Sequence, residues 1–176
     1  MHPRIRKVRL LRRLRRLTQI RALVRNERGI QLAELAIVLP VLLILFAATA
    51  EFGRYFYEYT TLSKAARIGT RYLVTAKVST YEKDQAKNLV VYGNTAGTGS
   101  PLIEGLTTAN VIITPKDSLG VTQTAGVPQT ITVEISGFKH QPLFDLGGLI
   151  NNSTFSLNID VKPRVTMRYL LTTPLV

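Results

Sequence analysis

Residues 30–50 read IQLAELAIVLPVLLILFAATA, and Glu34 is the one charged side chain among them. As a helix rising about 1.5 Å per residue, the run reaches about 31 Å. That is the thickness of a bilayer's hydrocarbon core. A buried core helix is the ordinary reading of an apolar run, but this length and the basic residues beside it point to a membrane span. Pro40 removes a backbone donor inside the run, so a kink or loosened turn is expected there.

The chain is 176 residues long, lacks cysteine and tryptophan, and carries a formal charge of +12. Without cysteine there is no disulfide framework, thiolate-held zinc or iron–sulfur cluster. A mean hydropathy of +0.12 excludes a wholly disordered polyelectrolyte. The charge is not spread evenly. Eleven of the 23 Lys and Arg lie in residues 1–29 beside one acid, Glu27, so about +10 belongs to that segment. Its apolar residues Ile5, Val8, Leu11, Leu14, Leu17 and Ile20 recur every three residues between arginines, the pattern of a basic amphipathic helix on an anionic surface. The positive-inside rule then puts the N-terminus in the cytoplasm and the body outside.

Downstream, residues 51–76 place Phe52, Tyr55, Phe56, Tyr59, Leu62, Ala66, Gly69 and Leu73 at spacings of three and four, one apolar helical face. No turn signal separates Ala50 from Glu51, so the span is expected to continue as one helix to about Thr75. Tyr55, Tyr57 and Tyr59 suit an interfacial aromatic belt. Beyond this, β-branched and alternating runs at 88–92, 111–114, 130–136, 154–161 and 164–171 are separated by Gly, Pro, Asn and Ser, which predicts strands. The expected fold is α+β: a long N-terminal transmembrane helix continuing outside the membrane, then a small antiparallel sheet domain. The expected divisions are a cationic leader at 1–29, the span at 30–50, its extension at 51–76 and an exported β-rich domain at 77–176.

The junction Arg28-Gly29-Ile30-Gln31-Leu32-Ala33-Glu34 carries the functional signal. A glycine closes the cationic leader and a glutamate stands fifth in the segment after it. This resembles the processing site of type IV prepilins and pseudopilins. With Leu39-Pro40, Glu51-Phe52-Gly53-Arg54, Ala65 through Tyr72, Pro142–Phe144 and Val165–Tyr169, the chain resembles the TadE-like family of the tight-adherence (Flp) pilus system. Leu35 departs from the aromatic residue that family often has after the glutamate. The resemblance implies a bacterial minor pseudopilin of the inner membrane with a periplasmic C-terminal domain. A prepilin peptidase would cut it between Gly29 and Ile30. Glu34 would pair with the freed Ile30 ammonium during assembly with other pseudopilins and Flp pilins. Such a pairing would offset the cost of a carboxylate near the membrane.

Three other readings compete. Ala48-Thr49-Ala50 fits a signal-peptidase site, which would release a secreted protein or leave a membrane-anchored one. The Arg-rich tail could instead bind nucleic acid from the membrane, although the resemblance implies no nucleic-acid partner beside membrane lipid. An enzyme is the rival of another class: His140, Asp145 and Ser136 lie close in sequence but lack a nucleophile-elbow context. Surface loop positions are the expectation for them. No P-loop, dinucleotide fingerprint or metal-ligand spacing is present, so neither catalysis, cofactor nor metal is expected.

Overall fold

The computed structural model describes residues 27–144, 146–149, 156–172 and 174. The amphipathic pattern of the leader lies outside them, apart from its last three residues. The chain divides into two compact units, residues 1–47 and 48–176.

Helix α1, Glu27–Val74, takes in Pro40 without a break in its helical assignment. In the first unit residues 29–46 are exposed on every side, with Leu32, Ile37, Leu43, Leu45 and Phe46 among the large apolar side chains left uncovered. A helix apolar all round has no polar face to turn to water. Among the described residues it is the helix long and apolar enough to cross a membrane.

The second unit is α+β. Within it, Leu62, Ala65, Ala66 and Leu73 of α1 are buried against helix α2, Thr80–Tyr92, and a three-stranded sheet. Residues 88–92 were expected to be a strand and are instead the last turns of α2. Local capping decides against the β-branched composition. The Ser79 hydroxyl accepts the Glu82 N–H, and Gly93, at φ 74°, ends the helix in the left-handed region. Ala86 and Val90, four residues apart, are fully buried on one face. Gly69 makes that packing possible, because a Cβ there would stand 2.5 Å from Val90 Cγ2. Tyr72 turns its hydroxyl towards Glu82 and Gln85 of α2. Burial and then the Glu82 carboxylate push that phenol up to about 12.

The sheet has the order β1-β2-β3, fully antiparallel, from Val111–Lys116, Thr130–Ile135 and Arg164–Arg168. Val133 faces Ile113 on one side and Val165 on the other. Ile131, Val133 and Ile135 of the central strand are fully buried, at the period of two that puts alternate residues on one face. The other face contributes a hydroxyl pair, Thr132 to Thr166 at 2.8 Å. Pro115 lies in edge strand β1, where its missing N–H costs no central ladder bond.

The run expected as a strand at 154–161 falls partly outside the described residues. Its described part forms no ladder, only an isolated bridge between Asp160 and Lys139. Val161 is nevertheless fully buried and donates its N–H to the Phe138 carbonyl. Helix α3, Leu146–Leu149, is a single turn. After β3 the chain returns to the end of α1, where Leu170 N–H reaches Val74 O and the Tyr169 hydroxyl reaches Ala76 O.

Candidate functional site

The junction residues stand on the first turns of α1. Gly29, Ile30 and Glu34 are all exposed, and the helix already includes Gly29 rather than starting after it. Ile30 and Glu34 are four residues apart, hence neighbours on one helical face. Glycine at the start of a helix is cheap to unwind. The first four N–H groups have no intrahelical partner, and glycine is the worst helix former after proline.

The second group of polar residues begins where the apolar run ends. Glu51 is 1% exposed and its carboxylate is saturated with donors. Oε1 accepts the backbone N–H groups of Leu143 at 2.8 Å and Phe144 at 3.1 Å. Oε2 lies 3.1 Å from the Arg54 guanidinium and 3.2 Å from His140 Nε2. Burial by itself would raise the Glu51 carboxyl. The two backbone donors, His140 and Arg54 outweigh it, and the group is held below the usual carboxylate range.

His140 is fully buried, with Nδ1 2.8 Å from Glu58 Oε2. A neutral imidazole donates from one nitrogen only, so both contacts are hydrogen bonds when both nitrogens carry protons. Tyr55 meets the ring edge-on, with centroids 5.8 Å apart at 88°. The backbone presents the ring by a short pairing in which His140 N–H donates to Ile159 O.

The expectation that His140 is a surface loop residue is therefore wrong. An exposed position is reasonable for a histidine between lysine and glutamine, but two carboxylates from α1 make burial of this one possible. They also engage both ring nitrogens, and Ser136 is not a partner of either. Asp145 lies outside the described residues. The carboxylates sit on opposite edges of the ring rather than converging, and among the described residues no cluster of three or more such groups could hold a metal ion.

The aromatic stripe of α1 divides here. Leu62, Ala66, Gly69 and Leu73 are buried as expected, whereas Phe52, Phe56 and Tyr59 remain exposed because no described element of the chain covers that part of the face. Of the three tyrosines assigned to a belt, Tyr57 and Tyr59 are exposed and Tyr55 is committed to His140. Two concavities flank the helix at this level. A cleft of about 840 Å³ has Ala50, Arg54, Tyr57, Phe138 and Leu143 among its walls. A smaller, largely apolar one of about 340 Å³ is walled by Ala48, Phe52, Tyr55, Leu157 and Ile159 above Glu51 and His140.

These features define a class: an α+β domain whose N-terminal helix has the length and apolarity to cross a membrane once. The TadE-like protein family matches residues 29–71, a segment that starts at Gly29 and takes in Glu34, Glu51 and the Gly69 packing site. Residues 29–71 are thus similar to the TadE-like family, the resemblance that their motifs carry. Comparison with curated proteins and with solved structures finds no match.

Proposed function

We propose that this chain is a pseudopilin-type subunit, not an enzyme, that assembles with the pilins and other pseudopilins of a tight-adherence pilus used for surface attachment. Its N-terminus lies in the cytoplasm, α1 crosses the bacterial inner membrane, and the sheet domain is periplasmic. A prepilin peptidase removes residues 1–29, and Ile30 becomes the new terminus. The observation that carries this reading is the TadE-like match beginning at Gly29, on a helix that sets Glu34 one turn from Ile30. The new ammonium and the Glu34 carboxylate, of one subunit or of two, then neutralise each other where each alone would be costly.

Cleavage after Ala50 is less well supported. It would sever an unbroken helix and create an ammonium next to a carboxylate already surrounded by donors. Mass spectrometry or Edman sequencing of the mature protein is the direct test, with Ile30 expected as the first residue. A mature chain beginning at Glu51 would overturn the assignment. A mature protein that keeps its Arg-rich segment and is retained on DNA in a salt-dependent way would favour nucleic-acid binding instead.

A further inference from the structure

The Glu51 cluster does more than satisfy a buried charge. By accepting the N–H groups of both Leu143 and Phe144, it ties residues 143 and 144 to the first residue after the apolar run. Counted from Ile30, a hydrocarbon core about 30 Å thick is used up at Ala50, and the headgroup layer beyond it is about 5–8 Å deep. Four or five residues of helix cross that layer. Glu51, Phe52 and the tethered loop therefore stand at its level.

The side chains there do not turn inward. Leu143 is 72% exposed, Phe144 48% and Phe52 70%. Leu143 lies on the Ala50 and Arg54 side of the helix. Ile159, also exposed, lies on the Ala48 and Phe52 side. Apolar ledges thus flank the helix where it leaves the span, and the acid between them is shielded by its donors. Without those donors, a carboxylate at this depth would oppose any approach to lipid.

We propose that this end of the domain is a lipid-seating surface. Leu143, Phe144 and Phe52 insert into the headgroup layer around the exit of α1, and the Glu51 cluster holds the loop in the inserting conformation. The occupant is the bilayer because Glu51 and Phe52, which the loop residues flank, directly follow the last residue of the apolar run in sequence. The inference rests on the membrane-spanning reading of residues 30–50.

The chain lacks tryptophan, so single substitutions in the full-length protein supply unique fluorophores. Phe144→Trp, Leu143→Trp, Leu42→Trp and Leu119→Trp are compared in phosphatidylcholine–phosphatidylglycerol vesicles whose phosphatidylcholine is brominated high on the acyl chains. Leu42 marks the span, and Leu119, 85% exposed, marks a distant turn. Phe144→Trp and Leu143→Trp should be blue-shifted and quenched at least about twofold more than Leu119→Trp, as interfacial aromatic residues are. Because the Leu143 side chain is so exposed, that variant displaces no packing and carries the test even if Phe144→Trp misfolds. Leu42→Trp quenched while both loop variants behave like Leu119→Trp would overturn the seating surface alone. Leu42→Trp unquenched would overturn the span and the seat together. Loop shielding that arises only when a pilin subunit is added would show a protein, not lipid, to be the occupant.

Discussion

Glu51 is a buried acid with four partners, and removing it strands all of them. Leu143 N–H, Phe144 N–H and His140 Nε2 lose their acceptor, and Arg54 loses its counter-charge. Breaking a buried ion pair from one side typically costs about 3–5 kcal/mol, so Glu51→Ala should destabilise the domain by that order. Glu58→Gln keeps an acceptor for His140 and should cost about 1–2 kcal/mol. Denaturant unfolding of the full chain in detergent, followed by near-UV circular dichroism, measures both. The pH dependence has a definite sign. The folded Glu51 carboxyl lies below its unfolded value, so its contribution is fully present above about pH 4.3 and is lost as pH falls through the lowered value. In Glu51→Ala this acid-side loss should flatten. An unchanged acid limb would assign it to other carboxylates.

Among the elements, the contact between α1 and α2 is the most sharply constrained. Alanine at position 69 would gain about 1 kcal/mol of helix propensity over glycine. It would also put a Cβ 2.5 Å from the methyl of a fully buried valine. Overpacking of this kind costs about 1–3 kcal/mol, and with Val90 unable to move outward, the clash wins. Gly69→Ala should therefore lower stability, and adding Val90→Ala should recover part of the loss, a coupling that a double-mutant cycle on urea midpoints reads directly. This element also shows where composition misleads. Val90, Val91 and Tyr92 suggest a strand, yet the cap residues Ser79 and Gly93 and a glycine 21 positions upstream make those residues a helix. The three true strands were legible because their alternation coincides with a buried face, as at Ile131, Val133 and Ile135. Alternation at 157, 159 and 161 had the same look. Only Val161 reaches full burial, and the described residues there have no ladder to join.

Across the whole molecule, local signals were readable and distant ones were not. Gly29, Ile30 and Glu34 stand within six residues, so their spacing, together with the basic leader before them and the apolar run after them, singles them out as candidates. Glu51 and His140 are 89 positions apart. The only hint was a pair of polar residues placed oddly: an acid directly after an apolar run and a histidine in a loop rich in apolar neighbours. The two groups predict different phenotypes. Glu34 is exposed on the first unit, so Glu34→Ala should leave domain stability within about 0.5 kcal/mol of wild type. It should also leave cleavage after Gly29 largely intact while disrupting co-purification with pilin partners. Normal recovery of those partners, together with normal pilus counts, would remove Glu34 from assembly.

The separation between Glu51 and its histidine also has a consequence for biogenesis. On the proposed orientation Glu51 emerges from the membrane early with Arg54 three residues behind it, whereas its other donors follow 89 or more positions later. At synthesis rates of about 5–20 residues per second, that interval is roughly 4–18 s. Throughout it, Arg54 alone of the four partners is at hand, and water must serve the rest of the carboxylate. Only when residues 140–144 arrive can the carboxylate take up its full set of donors, so burial of Glu51 waits on the C-terminal third of the chain.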